Sequence, residues 1–147
     1  MNLIYGLSSS FLIWIFLIYI NFQWEIPLIN IPNFLWRMLF GFFFIDFCST
    51  IIWSLLHLPP HKQDKELITS GPYNWTRHPI YASFIWSATG LVTLIFSSWL
   101  VMISVIPVSL IWSWIVMKEE SSLYIIFGQK YKKYSSKTGL FFPKFDK

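Results

Sequence analysis

The sequence predicts an all-α membrane protein with four transmembrane helices, followed by an amphipathic C-terminal helix. Of its 147 residues, 55% are hydrophobic and 12% are charged, whereas a typical soluble domain has about 25% charged residues. A soluble fold of this size could not bury so much apolar surface, but in a bilayer apolar side chains can face the lipid. We therefore expect the whole chain, residues 1–147, to form a single integral membrane domain.

Long uncharged stretches locate the four helices, because a spanning helix needs about 20 apolar residues. We expect the spans at about residues 3–22, 34–58, 80–97 and 99–117. The first stretch has no basic flank and no small-residue cleavage site, so we interpret it as a retained span rather than a signal peptide. The last two spans come from one uncharged run, and we expect them to form a helical hairpin that bends near Ser97 and Ser98.

Basic residues are concentrated in two segments of this layout. Of the eleven Lys and Arg residues, only Arg37 lies outside the loop 62–77 and the tail 118–147. Four spans put that loop, the tail and both termini on the same side, and the excess of positive charge makes this side cytoplasmic. We therefore expect a multi-pass protein whose site faces the cytoplasm, with membrane lipid around it and no nucleic-acid partner.

The tail has a helical pattern of its own. The residues that share one helix face are Glu120, Tyr124, Phe127, Tyr131 and Tyr134. Mostly basic and polar residues lie opposite, so the pattern predicts an amphipathic helix at headgroup level or folded back over the spans. A carboxylate such as Glu120 in an aromatic stripe is costly unless it is paired. Arg77 and the ammonium group of a ligand remain equal alternatives as its partner.

The strongest polar motif is G-P-Y-N-W-T-R-H-P-I-Y, residues 71–81. It opens on a Gly-Pro turn signal, and Pro79 suits the first turn of the next helix. Arg77 and His78 are thus placed at a helix N-terminus, where the helix dipole adds to their positive field and favours an anionic group such as a carboxylate. Anchoring at the membrane interface explains the same residue types, and the residues alone leave both interpretations open.

Other ionisable residues give weaker signals. The group Lys118-Glu119-Glu120 follows the fourth span, so in a hairpin it would meet Arg77 and His78 at one membrane face. Asp46 lies inside span two, where charged residues are rare and usually functional; a buried hydrogen bond and a substrate contact stay open for it. His57 and His61 are four residues apart, but two prolines intervene, and we expect no metal site.

These motifs resemble the superfamily of isoprenylcysteine carboxyl methyltransferases and phospholipid methyltransferases. The matching segments are residues 67–81 with T-x-G-P-Y and R-H-P-I-Y, Glu119-Glu120 with Leu123, F-G-Q-K-Y-K-K-Y at 127–134, and Pro143. Two positions depart from the pattern. Ser83 replaces the usual Gly, and Thr76 replaces a common Val.

The resemblance implies an S-adenosylmethionine-dependent methyltransferase that acts on a lipophilic small-molecule or lipidated acceptor at the membrane–cytoplasm boundary. It implies a cofactor site made by the segments 67–81 and 118–143. The implied cofactor-binding residues are Gly71, Pro72, Tyr73, His78, Tyr81, Glu119, Glu120 and Tyr131. Arg77 and Glu120 are the implied catalytic residues, with Arg77 orienting the carboxylate of either the acceptor or the cofactor.

The closest activity implied by the resemblance is isoprenylcysteine carboxyl O-methylation, and three alternatives stand beside it. Phospholipid amine N-methylation would use the same fold. Membrane reductases that use NADPH share part of the resemblance, but they are normally longer. A non-enzymatic membrane binding or assembly protein would explain the helices without chemistry. The acceptor group and the oligomeric state are not determined by the sequence.

Overall fold

Four long apolar helices form the body of the molecule. The computed structural model describes residues 2–58 and 66–144. The helices in these ranges are α1 (Asn2–Gln23), α2 (Asn33–His57), α3 (Pro79–Phe96), α4 (Trp99–Phe127) and the short α5 (Gln129–Lys137). Helices α1 to α4 are each long and apolar enough to cross a membrane, which confirms the predicted all-α fold with four spanning helices. Pro59 and Pro60, which follow the predicted second span in the sequence, lie outside the described residues.

The fourth helix is longer than the predicted span, which we expected to end at residue 117. Helix α4 continues to Phe127, because Lys and Glu are strong helix formers and no glycine or proline interrupts the segment. Gly128 ends it with φ +51°, a backbone conformation that glycine adopts without steric cost. Helix α5 begins at the next residue. The aromatic stripe that we assigned to a single tail helix is therefore divided between α4 and α5.

Helix α1 packs against α4 around Trp112, which is fully buried. A Cβ atom at Gly6 would lie 2.5 Å from Cη2 of Trp112, so only glycine allows this approach. One turn further along α1, the Ser10 hydroxyl accepts a hydrogen bond from Nε1 of Trp112 at 3.0 Å and donates one to the Gly6 carbonyl at 2.9 Å. Small residues let membrane helices approach closely, and here they also satisfy a buried indole N–H.

Helix α2 packs against α3 through aromatic and polar contacts. The ring of Phe43 lies against Gly90, where an added Cβ would come within 2.8 Å of the ring. Phe47 and Phe84 meet edge to face with centroids 5.1 Å apart. The hydroxyl of Ser87 donates a hydrogen bond to Oδ2 of Asp46. The intramembrane carboxylate noted in the sequence is therefore engaged in helix–helix packing through one of its two oxygens.

A two-residue turn at Ser97 and Ser98 joins α3 to α4. Ser97 adopts the left-handed conformation with φ +48°, and the hydroxyl of Ser98 caps α4 by accepting from the backbone N–H of Val101 at 3.3 Å. That hydroxyl also donates to the side-chain oxygen of Asn21 at 2.8 Å. The turn is thus tied to the end of α1, on the side of the bundle away from α5.

Helix α3 is interrupted by a π-helical turn. Residues Phe84–Ala88 form this turn between α-helical segments Pro79–Ser83 and Thr89–Phe96. In a π turn the hydrogen bonds span five residues instead of four, so it holds one additional residue. Ser87, which bonds Asp46, lies in the turn.

We predict that Gly6→Ala destabilises the protein, whereas Gly41→Ala does not. The new methyl group at position 6 would overlap Trp112, and overpacking of this kind costs about 1–3 kcal/mol. At Gly41 an added Cβ has no neighbouring atom within 4 Å, and alanine is the better helix former. Thermal unfolding in detergent, followed by tryptophan fluorescence, measures both. An equal melting temperature for the two variants would contradict the contact.

Candidate functional site

The segment between α2 and α3 is shaped by a close contact with His57. Residues Gly71–Asn74 form a 3₁₀ turn that begins at Gly71 with φ +60°. A Cβ atom at Gly71 would lie 2.5 Å from Cδ2 of His57. The His57 ring is held in place because its Nδ1 lies 2.9 Å from the Trp53 carbonyl oxygen. Gly71 is thus required by its backbone conformation and by the ring that covers it.

The residues that follow α5 pack against this segment. The backbone N–H of Arg77 donates to the Gly139 carbonyl at 2.8 Å, and the N–H of His78 donates to the Leu140 carbonyl at 3.2 Å. These bonds belong to a parallel bridge between Thr76 and Gly139. From α5, the hydroxyl of Tyr134 donates to the Tyr73 carbonyl at 2.6 Å. The tail and the segment that precedes α3 therefore form one unit.

The Arg77 guanidinium connects this unit to α4. Its Nη2 lies 2.9 Å from Oε2 of Glu120, and its Nε donates to Oε1 at 3.1 Å. Its Nη1 donates to the carbonyls of Ser135, at 3.0 Å, and Thr138, at the C-terminal end of α5. Carbonyls at a helix end lack partners within the helix and carry partial negative charge. Arg77 thus neutralises a carboxylate and caps a helix at the same time.

Glu120 accepts further hydrogen bonds at the same position. Nε2 of His78 lies 2.8 Å from Oε1, and the hydroxyl of Tyr131 donates to that oxygen. The sequence leaves two partners open for Glu120, and in the structure Glu120 is paired with one of them, Arg77. Three side chains from the segment before α3 and from α5 thus converge on one carboxylate of α4.

A cavity of about 310 Å³ lies beside this cluster. Its polar lining is formed by Tyr73, Arg77, His78, Tyr81, Glu119, Tyr131 and Tyr134, together with Glu66. Its apolar lining includes Leu58, Leu67, Ile68, Ile80, Leu123 and Phe127. Glu119 accepts a hydrogen bond from the Tyr81 hydroxyl at 2.9 Å, and its other oxygen lies 3.7 Å from Nδ1 of His78. The cavity therefore combines a carboxylate, several phenol groups and an apolar wall.

The tyrosines of the loop and of α5 are held in the protonated form. Burial raises the pKa of Tyr73 to about 12. Burial and the hydrogen bond to Glu120 raise the pKa of Tyr131, and burial raises the pKa of Tyr134. At neutral pH these hydroxyls are therefore hydrogen-bond donors.

Most residues suggested by the sequence lie at this cavity, but three have different positions. Gly71 is covered by His57 and Glu120 is covered by its three partners, so neither is part of the lining. Pro72 is buried and faces a second groove. The cavity residue Tyr134 was missed, although it shares a helix face with Tyr131. Among the described residues no group of three or more potential metal ligands occurs; His61 lies outside them.

Comparison with known proteins identifies the family. The profile of the isoprenylcysteine carboxyl methyltransferase family matches residues 47–125, and the chain belongs to this family. It is 29% identical over 92 residues to protein-S-isoprenylcysteine O-methyltransferase of Saccharomyces cerevisiae. The aligned region covers 61% of this chain and 38% of that relative, so the chain spans well under half of the relative's length. No solved structure matches the chain.

Family and fold together define a multi-pass membrane protein. The matched residues begin in the second half of α2 and include the segment before α3, all of α3 and most of α4. They contain Arg77, His78, Glu119 and Glu120, but not α5. The family match therefore includes the ion pair of Arg77 and Glu120, but it does not include α5 or the residues after it, which pack around that pair.

We predict that Arg77→Lys loosens the tail without unfolding the spans. Lysine keeps the charge but cannot reach Glu120 and two carbonyls at once, and each hydrogen bond to a charged group contributes about 1.5–3 kcal/mol. Hydrogen–deuterium exchange of residues 129–144 should therefore accelerate more than tenfold. Arg37→Lys, at an exposed position of α2, is the control. Unchanged exchange in the Arg77 variant would show that the guanidinium does not hold the tail.

Proposed function

We propose that this protein is an S-adenosylmethionine-dependent methyltransferase that methylates the carboxyl group of an isoprenylated cysteine. The observation that carries the proposal is the cavity of about 310 Å³ between the segment 67–81, α4 and α5. Small-molecule sites have volumes of about 300–1,000 Å³, so this cavity is large enough to hold most of an S-adenosylmethionine molecule. Membership of the family and the similarity to the yeast methyltransferase support the reaction.

The lining of the cavity suits the chemical groups of the cofactor. Glu119 offers a carboxylate for the cofactor's ammonium group. The rings of Tyr73, Tyr81 and Tyr131 offer aromatic surface, which attracts cations such as a sulfonium and stacks against a flat base. A cluster of phenols beside two carboxylates, Glu66 and Glu119, and an apolar wall therefore matches a ligand that is cationic at two points and aromatic at a third.

The protein's contribution to catalysis is alignment and exclusion of water. When bound, S-adenosylmethionine supplies a methyl group on a positively charged sulfur. The apolar side chains of Leu58, Ile80 and Leu123 form a poorly solvating wall of the cavity, and a poorly solvated carboxylate is a better nucleophile. A carboxylate acceptor is ionised at neutral pH and needs no general base, so holding the reactants in line is the main requirement.

In this proposal Arg77 and Glu120 act as positioning residues. Each nitrogen of the Arg77 side chain already has a partner within the protein, and Glu120 has partners on both oxygens. Their pairing keeps His78, Tyr131 and the tail in place around the cavity. We assign the contact with the cofactor's ammonium group to Glu119, which lines the cavity. Glu120 supports the residues that form the cavity wall.

The location of the site follows from charge and topology. The loop 62–77 and the tail carry nearly all basic residues of the chain, and the positive-inside rule supports a site at the cytoplasmic boundary of the membrane. A soluble cofactor would enter there from the cytoplasm. An acceptor with an isoprenoid chain would arrive from the lipid.

We predict that the two glutamates differ when cofactor binding and tail docking are measured together. Glu119→Gln should weaken binding of S-adenosylhomocysteine at least tenfold, because a hydrogen bond to a charged group contributes about 1.5–3 kcal/mol, while hydrogen exchange of the tail stays unchanged. Glu120→Gln should weaken binding and also accelerate exchange of residues 129–144. Isothermal titration calorimetry in detergent gives the affinities, and Lys132→Gln, at an exposed position, is the control.

The calorimetry also tests the proposal as a whole. No heat of binding for the unmodified protein at 1 mM S-adenosylhomocysteine would overturn it. Equal effects of the Glu119 and Glu120 substitutions on binding and on exchange would contradict the separate roles.

We predict that methyl transfer yields a base-labile product. Membranes that contain the protein are incubated with methyl-labelled S-adenosylmethionine and N-acetyl-S-farnesylcysteine, and the labelled product is treated with alkali. A methyl ester releases volatile labelled methanol, whereas an N-methyl group is retained. Label that stays with lipid after alkali would instead identify phospholipid amine N-methylation, and Glu119→Gln should reduce either activity when the concentration of S-adenosylmethionine is limiting.

A further inference from the structure

A second groove lies on the other side of the segment that builds the cavity. It has a volume of about 260 Å³ and runs between α2 and α3. Its α2 side is formed by Asp46, Thr50 and Trp53, which share one helix face, and its α3 side includes Trp86 and Ser87. Trp75 from the loop also lines the groove. Pro79 lines both the groove and the cavity, so the two spaces are neighbours with different walls.

Asp46 is the unusual member of this groove. It lies midway along α2, at the depth of the membrane interior, and its side chain is exposed. Ser87 donates a hydrogen bond to Oδ2, and within residues 2–58 and 66–144 no donor is recorded for Oδ1. A carboxylate that faces lipid is costly, and such residues usually pair or mark a ligand pathway. The groove therefore presents an acceptor of hydrogen bonds at a depth where water is scarce.

The surroundings of Asp46 indicate the chemical class of a ligand. The groove contains the indole rings of Trp53, Trp75 and Trp86, of which Trp53 and Trp75 are 45% and 59% exposed. Indole faces attract ammonium groups, and tryptophan is the strongest of the aromatic residues in this respect. An anionic headgroup would be repelled by Asp46. The ring of Trp86 packs against Phe142 with centroids 4.4 Å apart, so the carboxylate together with the exposed indoles of Trp53 and Trp75 selects for a cation.

We propose that this groove binds a membrane-dwelling molecule with a hydrocarbon chain and an ammonium group. The ammonium group pairs with Oδ1 of Asp46, and the chain lies along the lipid-facing surface between α2 and α3. The site is separate from the proposed methyl-transfer cavity, whose acceptor carries a carboxylate. It does not depend on that activity, since the proposed pairing uses Asp46 of α2 and the indole rings that line the groove.

Photolabelling tests the site on the full chain in phosphatidylcholine nanodiscs. The probe is a hexadecylamine that carries a diazirine in its chain, and the competitors are hexadecylamine, hexadecanol and hexadecanoic acid. Mass spectrometry should locate the label on residues 46–53 and 82–87. Hexadecylamine should suppress labelling at a mole fraction at least tenfold lower than hexadecanoic acid does. Equal competition by amine and acid, or label spread evenly over the four spans, would overturn the proposal.

A substitution pair tests the contribution of the carboxylate. Asp46→Asn should reduce labelling at least tenfold, because the amide keeps the shape and the bond with Ser87 but loses the charge. Ser49→Ala is the control, since its hydroxyl bonds only the backbone carbonyl of Asp46. Undiminished labelling of the Asp46 variant would refute the pairing. The competition experiment uses the unmodified protein, so it decides the question even if the variant does not fold.

Discussion

The pairing of Arg77 with Glu120 is the interaction on which the polar end of the molecule depends. Without a partner, a guanidinium with 13% of its side chain exposed would lose most of its hydration, which is unfavourable. Contacts within the protein offset this cost. Nε and Nη2 of Arg77 contact the two carboxylate oxygens of Glu120, and Nη1 donates to the carbonyls that end α5. One side chain thereby joins three segments that are distant in sequence. The wall of the candidate cavity exists only while these segments stay together.

The sequence predicted the scaffold better than the details of the site. The length of the apolar stretches predicts the four helices, because a spanning helix must match the thickness of the bilayer. The distribution of basic residues predicts their orientation. The convergence of Arg77 and Glu120 was one of two stated alternatives. The carbonyl partners of Arg77 were not predictable, since any residue at positions 135 and 138 supplies the same backbone oxygen. The aromatic stripe is divided between two helices because Gly128 has a positive φ angle. Glycine permits this conformation but does not require it, so the sequence did not predict the division.

The loop before α3 separates two environments of opposite character. On one side, Arg77 and His78 stand near the carboxylates of α4 and the charges are closely paired. On the other side, Asp46 shares a groove with tryptophan rings and is paired only in part. Pro79 belongs to both linings. Backbone bonds from the tail hold this partition in place, so loss of the tail would affect both spaces.

The π turn in α3 sets how the two halves of that helix are oriented. Successive residues of an α-helix are rotated by about 100°, so one additional residue turns everything beyond it by about that angle. The half before the turn directs Tyr81 toward Glu119, and the half after it packs Gly90 beneath Phe43. The additional residue therefore sets a fixed angular offset between the two halves, and this offset lets one helix direct Tyr81 to the polar site while Gly90 packs against Phe43 in the membrane.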